Sequence, residues 1–293
     1  MRSLLFVPGD SEKKLEKGFS SEADVVIVDL EDSVSADNKA SARQIAAEFI
    51  RTQAGRQGPA IYVRVNDLST GLTDDDLAAL VPTRPTGIML PKSNSGADVQ
   101  QLSVKLRVHE AENQLPDGGI AILPIITETA AGVLAAASYA GACNRLAGLT
   151  WGAEDLSAAI GARTTRDERG AYTDVFRLAR TMTLLAASAA ETAAIDTVYP
   201  NFRDMDGFRR ECEEAERDGF TGKMAIHPAQ VAVINDAFTP SPEATTQAGA
   251  VVEAFKAAGN PGVVAIDGQM YDRPHLRRAE RLLARAKAAG VQV

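Results

Sequence analysis

Short apolar runs alternate with longer stretches of helical periodicity along almost the whole chain. Runs rich in valine, isoleucine and leucine occupy residues 3–7, 24–29, 61–65 and 87–90. Further runs follow at 120–126, 146–150, 195–199 and 224–226. Several are uninterrupted rather than alternating, the pattern of strands covered on both faces in a parallel sheet. Between them, residues 41–51, 74–80, 97–113, 173–190 and 208–217 read as amphipathic helices. Eight such units predict a βα-repeating α/β fold. A doubly wound sheet is the competing arrangement, but no Gly-x-Gly-x-x-Gly follows any strand. The count of eight favours a (β/α)₈ TIM barrel with a C-terminal extension, and the 293 residues suit a barrel of about 250 with an appendage.

The last segment departs from the alternation. A Thr-Pro-Ser-Pro stretch at 239–242 reads as a loop. It precedes an apolar run at 263–266, the sequence Asp267-Gly268-Gln269-Met270-Tyr271-Asp272, and a basic helix over 275–287. The expected division is a barrel over 1–238 and an extension over 239–293.

Charge and composition narrow the function. The formal net charge is -8 and no basic run is present, which argues against a nucleic-acid partner. Lys13, Lys14 and Lys17, and Arg277, Arg278 and Arg281, are the local clusters able to meet an anion, or else solvated helix faces. No stretch of 18 uninterrupted apolar residues suggests a membrane span, and the opening apolar run is too short for a signal peptide. Two cysteines without Cys-x-x-Cys spacing point to a reducing cytoplasm.

In a (β/α)₈ barrel the chemistry sits at the C-terminal ends of the strands. There this chain places Asp29-Leu30-Glu31-Asp32, Arg64-Val65-Asn66-Asp67, Pro91-Lys92, Thr127-Glu128-Thr129, Trp151-Gly152-Ala153-Glu154-Asp155 and His227-Pro228. Carboxylates gathered in one place need a positive partner. An oxygen-only donor set suits Mg²⁺ or Mn²⁺ better than zinc, and Mg²⁺ takes one or two protein carboxylates. Glu128 and Asp155 are the expected metal ligands; capping a helix or pairing with an arginine is the alternative for each. Arg64, at the end of a buried strand, matches a substrate carboxylate in two-point geometry, pairs with Asp29 or Glu31, or does both. Alternation points Asp29 and Glu31 the same way, so either is a candidate general base or orients a metal-bound water, with a purely structural role as the alternative; Asp32 points elsewhere or caps the next helix. Gly132 lies at a helix start where a ligand would approach backbone N–H groups, or where strand and helix pack closely. His227 reads as a hydrogen-bonded rim histidine rather than a metal ligand, and His109 as a solvated helix residue.

Taken in order, these motifs resemble the citrate lyase beta subunit family, one of the phosphoenolpyruvate/pyruvate-type barrels. They are Arg2-Ser3-Leu4-Leu5-Phe6-Val7-Pro8-Gly9, Val28-Asp29-Leu30-Glu31-Asp32-Ser33-Val34, Arg64-Val65-Asn66 and Met89-Leu90-Pro91-Lys92. Glu128-Thr129-Ala130-Ala131-Gly132, Trp151-Gly152-Ala153-Glu154-Asp155-Leu156, Ala225-Ile226-His227-Pro228 and Gly268-Gln269-Met270-Tyr271-Asp272 complete the set. The likeness runs from residue 2 to about residue 285. It implies citryl-, malyl- or citramalyl-thioester chemistry on a (β/α)₈ barrel, as a homotrimer or dimer of trimers. It also implies Mg²⁺ at Glu128 and Asp155, a 2-oxo or 2-hydroxy acid carboxylate at Arg64, and coenzyme A or an acyl carrier bearing the thioester. By resemblance Asp272 reaches a neighbouring subunit's site and handles the proton on the thioester α-carbon. Tyr271 stands where the family usually has isoleucine or valine. Read without the family, Asp272 is a helix cap. The expected activity is carbon–carbon lysis. The alternatives are a thioesterase, a plain class II aldolase, and a non-catalytic or carrier-dependent subunit.

Overall fold

The computed structural model describes residues 1–291, so residues 292 and 293 of the expected extension lie outside the described residues. The first half runs β1 (Ser3–Pro8), α1 (Glu12–Phe19), β2 (Val25–Asp29), α2 (Lys39–Gln53), β3 (Ala60–Arg64), α3 (Thr73–Leu80), β4 (Gly87–Leu90), α4 (Gly96–Glu112) and β5 (Ala121–Pro124). There follow α5 (Ala130–Leu134), β6 (Gly148–Thr150), α6 (Ala153–Ile160), α7 (Asp174–Ala189), β7 (Ala193–Asp196), α8 (Met205–Asp218), β8 (Gly222–Ala225) and α9 (Ala229–Phe238). The chain ends with α10 (Pro242–Ala257), β9 (Val263–Ile266), β10 (Gln269–Asp272) and α11 (Arg273–Ala288).

The first eight strands form one parallel sheet in the order β5-β4-β3-β2-β1-β8-β7-β6. Parallel bridges Ile122↔Leu146 and Ile125↔Thr150 join its two edges. The Ile126 N–H donates to Thr150 O at 2.9 Å across the same seam. The sheet is therefore a closed α/β barrel, the TIM-like fold expected from the eight runs, and closure removes the exposed edges an open sheet would carry.

Alternation along the strands fills the interior. Leu4, Ile27, Tyr62, Met89, Leu123 and Met224 belong to one buried cluster, each from a different strand. Glycine is required at 87 for this packing: a Cβ there would come within 2.2 Å of the Tyr62 ring, the register partner across β3 and β4. The complementary positions, such as Val26, Val28, Val63 and Ile88, are also fully buried, which is why the runs are continuous rather than alternating.

The chain divides into two compact units, Met1–Ile234 and Asn235–Val293, a few residues before the division expected at 238/239. Within the second unit, Ala248, Val251, Phe255, Val264, Leu276 and Ala279 form their own apolar core. Its antiparallel hairpin pairs Gln269 with Ile266. The two-residue turn, Asp267-Gly268, has φ 48° and 78°, the left-handed pair that an Asp-Gly turn supplies with least strain.

Several elements differ from expectation. The strand expected at 195–199 is Ala193–Asp196, because residues 197–199 already belong to the connecting loop. Helices α1, α5, α6, α9 and α10 lie outside the stretches whose periodicity predicts a helix. Apart from the longer α10, they are short, of ten residues or fewer, so too few turns repeat for a period to stand out. Among the described residues no helix is long and apolar enough to cross a membrane.

Candidate active site

Strands β2 and β3 pair so that Asp29 sits opposite Arg64. Both continue the inward face set by Ile27 and Tyr62, so both side chains meet over the top of the barrel core. Arg64 donates from Nε to Asp29 Oδ1 and from Nη2 to Asp29 Oδ2, each at 2.7 Å. Its remaining edge faces the acidic turn: Nη1 lies 2.9 Å from Glu31 Oε2 and 3.3 Å from Asp32 Oδ2. The guanidinium also lies over the Phe6 ring, 4.9 Å from its centroid.

Asp29 is 2% exposed, and its carboxylate additionally accepts from the Glu31 N–H at 2.9 Å and the Ser33 N–H at 3.2 Å. Burial disfavours its charge, but the Arg64 hydrogen bonds and charge outweigh that and hold the carboxyl below the usual range. A carboxylate with four donors and a depressed pKa is a poor base. Asp29 holds Arg64 and the turn in place. Glu31 is 6% exposed. Burial and the Asp32 charge raise its carboxyl above the ordinary value, against the pull of Arg64 and Lys92. The two-point fork expected for substrate is occupied by Asp29.

The next strand end places a cation among these acids. Lys92, just beyond β4, adopts φ 50°. Its N–H donates to Glu128 Oε2, while its ammonium pairs with Glu31 and lies 3.6 Å from Asp32 Oδ1 and 3.4 Å from Asp155 Oδ1. Glu128 follows β5 and is 3% exposed. Among the described residues it makes no salt bridge. Burial, and next the charge of Asp155, push its carboxyl up to about 8. Gly152 closes over it: a Cβ there would stand 2.8 Å from Glu128 Cγ. Asp155 lies in the first turn of α6, where a carboxylate is favoured by the helix dipole. A cleft of about 400 Å³, lined in part by Asp67, Pro91, Lys92, Asn94 and Thr129, opens beside this group.

A buried carboxylate with an amide as its partner, beside a second carboxylate on the neighbouring strand end, is the donor set that a hard cation fits. Among the described residues no group of three or more His, Cys, Asp or Glu gathers for a metal. Two protein carboxylates with the remaining positions open match Mg²⁺, which keeps several sites for water and substrate.

Asp29, Glu31, Arg64, Glu128 and Asp155 are thus brought together. Gly132 is not part of this group. Its N–H donates to Thr129 Oγ1 at 3.0 Å as a helix cap, and a Cβ would stand 2.5 Å from Ile126 O and 2.9 Å from Ser93 O. The close approach of α5 to this backbone agrees with the packing alternative given for Gly132. Asp272, in the second unit, is the N-cap of α11: its carboxylate accepts from the His275 N–H and meets His275 Nδ1 at 2.5 Å. His227 accepts from the Ala229 N–H at 3.1 Å and stacks on Phe202 with centroids 4.9 Å apart, a hydrogen-bonded rim histidine. His109 pairs with Glu112 at 3.2 Å.

Two features of the site are not marked in the sequence. Lys92 is visible there only as the cation at the end of one strand. The other is a buried network behind the site: Lys223 Nζ donates to Asp196 Oδ2 at 2.7 Å, both residues fully buried, and Trp151 Nε1 donates to Asp196 Oδ1 at 2.7 Å. It anchors the β6–α6 turn that carries Gly152 and Asp155. No sequence signal marks a lysine inside an apolar run as paired.

A closed parallel barrel with paired carboxylates and an arginine at its C-terminal rim is the architecture of metal-assisted oxo-acid enzymes. Residues 2–228 match the HpcH/HpaI aldolase/citrate lyase family, and the chain belongs to it. It is 36% identical to a (3S)-malyl-CoA thioesterase of Cereibacter sphaeroides over 292 residues, covering 98% of this chain and 95% of that one. It is 34% identical to the mitochondrial citramalyl-CoA lyase of Rattus norvegicus, covering 97% and 86%. Among solved structures, Mycobacterium tuberculosis CitE in complex with magnesium, acetoacetate and coenzyme A superposes with a TM-score of 0.76. The two chains are 36% identical, with 98% of each covered.

Proposed function

We propose that this chain is a Mg²⁺-dependent carbon–carbon lyase. It cleaves a 3-hydroxyacyl-CoA of the malyl, citramalyl or citryl type into a 2-oxo acid and an acyl-CoA. The observation that carries the proposal is Glu128, a buried carboxylate without a salt bridge among the described residues, set beside Asp155 and the Lys92 N–H. The relatives named for citramalyl-CoA lysis, and the neighbour holding magnesium and coenzyme A, support it.

Glu128 and Asp155 would hold the ion, whose chemistry when bound is Lewis-acid polarisation of the substrate's hydroxyl and carboxylate oxygens. Arg64, fixed by Asp29, binds the carboxylate of the departing 2-oxo acid through Nη1 and so sets the orientation of the scissile bond. Glu31 takes the hydroxyl proton; burial raises its carboxyl above the ordinary value, which makes it a stronger base than a solvated glutamate. The electrons of the broken carbon–carbon bond pass to the thioester α-carbon, which must then be protonated. Asp272 supplies that proton from the extension of a neighbouring subunit, an assignment that rests on the family resemblance. An exposed apolar stripe on α7, formed by Val175, Leu178 and Leu185, supports self-association into the trimer or dimer of trimers that the resemblance implies. The two free cysteines, Cys143 and Cys212, suit a cytoplasmic enzyme.

The thioesterase-named relative favours a second reading, in which the thioester is hydrolysed at the same site. Purified protein offered malyl-CoA, citramalyl-CoA and citryl-CoA, with Mg²⁺ and then with EDTA, separates the two. Metal-dependent release of a 2-oxo acid is the expected result. Free CoA without a 2-oxo acid establishes hydrolysis instead, and no turnover of any of the three refutes this substrate class. Asp272→Asn should abolish turnover while Mg²⁺ binding persists.

A further inference from the structure

The mechanism above makes no use of Lys92, yet the fold goes to some length to place it. Its left-handed backbone is costly for a non-glycine residue, and such conformations persist where surrounding structure enforces them. Here that conformation directs the N–H to Glu128 and the side chain to Glu31, Asp32 and Asp155. Among the described residues three cations face the acids of this rim: Lys39, whose ammonium donates to the Leu30 and Glu31 carbonyls, Arg64 and Lys92. Arg64 is locked by two hydrogen bonds to Asp29, so Lys92 supplies the positive charge at Asp155. The Lys92 side chain is 29% exposed and meets Asp155 through one atom while its closest pairing is with Glu31, so it can leave Asp155 without leaving Glu31, whereas Arg64 is held by Asp29 at two atoms.

We propose that Lys92 is a tethered counter-ion: in the metal-free protein its ammonium stands in for the divalent cation at Asp155, and Mg²⁺ must displace it to bind. The inference rests on the reading that Glu128 and Asp155 are the metal ligands. The ammonium keeps the acidic rim charge-balanced when no metal is bound, and by the same electrostatics it weakens metal affinity. Lys92 is thus a positioning residue whose signature is in metal binding rather than in turnover alone.

The test titrates metal-free protein with Mg²⁺ and follows the fluorescence of Trp151, the chain's single tryptophan, which adjoins Gly152. Lys92→Gly removes the ammonium and keeps the backbone conformation; Lys92→Asn does the same should the glycine variant fail to fold. Either should bind Mg²⁺ about tenfold more tightly than wild type or better, while Lys92→Arg stays within about threefold. Equal or weaker binding in the folded charge-deleted variants overturns the proposal. Wild-type protein gives a second measurement: Mg²⁺ should increase acylation of Lys92 by a small amine-reactive ester, read by peptide mass spectrometry. Unchanged or reduced labelling overturns it. Glu128→Gln separates the underlying reading. Mg²⁺ affinity unchanged in that variant means the metal lies elsewhere and both readings fall. Lost affinity there, with no tightening on removal of Lys92, rejects the counter-ion alone.

Discussion

Mg²⁺ binding should release a proton from Glu128, and the amount follows from the site. In the metal-free protein this carboxyl is pushed up to about 8, first by burial and then by Asp155. At pH 7 only about one-eleventh of the molecules carry Glu128 ionised, and a metal ligand must be ionised. The apparent Mg²⁺ association constant at pH 7 should therefore lie about tenfold below its plateau and approach that plateau by pH 9. Binding should release about 0.9 proton per ion at pH 7 and about 0.1 at pH 9. Isothermal titration calorimetry in buffers of different ionisation enthalpy reads the proton count directly, and Trp151 fluorescence reads the affinity. Glu128→Gln should lose both the affinity and its pH dependence. A Mg²⁺ affinity flat between pH 7 and 9, or a pH slope that survives in Glu128→Gln, would refute the reasoning.

The raised pKa of Glu128 also bears on stability. In the folded state it lies above the ordinary value of 4.5, so the folded protein keeps a proton that the unfolded chain loses as pH rises. Its contribution is full below about pH 4.5 and is lost as pH climbs through about 8, a fall on the order of a few kcal/mol. Asp29, Asp196 and Asp24 are depressed instead, so their contributions are present above their unfolded values and vanish only in acid. Between pH 5 and 8 the metal-free protein should lose thermal stability, and Mg²⁺ should restore it.

Other perturbations probe the supports of the site. Arg64→Lys keeps the charge but not the fork that Asp29 occupies; it should cost about 100-fold in kcat/KM and about 1–3 kcal/mol in denaturant unfolding, and unchanged kinetics would dismiss its role. Gly152→Ala drives a methyl to 2.8 Å from Glu128 Cγ, so Mg²⁺ affinity should fall about tenfold with stability changed by about 1 kcal/mol, as calorimetry and thermal melts would report. Trp151→Phe leaves the buried Asp196 short of one donor and should destabilise by about 1–3 kcal/mol in urea titration; a cost near zero would mean the indole hydrogen bond is not a support of the turn.

The eight strands are legible in the chain because burial on both faces leaves runs such as Val25-Val26-Ile27-Val28 continuously apolar, a one-dimensional signature of a parallel sheet. The rim carboxylates are visible for a related reason: each stands immediately after such a run, and barrel geometry places strand ends together. Sequence does not say which acid meets which base. The register Asp29↔Arg64 decides that Asp29 holds the arginine. Gly132 illustrates the same limit, since cradling a ligand and packing on backbone leave the same residue in the chain, and the approach to Ile126 O and Ser93 O distinguishes them. Alanine-rich α10 leaves little periodic trace because its apolar and polar faces differ little in one dimension, although packing selects a face in three. Lys92 and Lys223 are ordinary lysines in sequence. One is bent by a left-handed backbone into a ring of acids, and the other is buried against Asp196 by the pairing of β7 with β8. Local patterning determined which segments are strands and where charge gathers. Partner choice among those charges was left to register and closure of the barrel, because electrostatic partnership depends on distances that neighbouring strands, not neighbouring residues, establish.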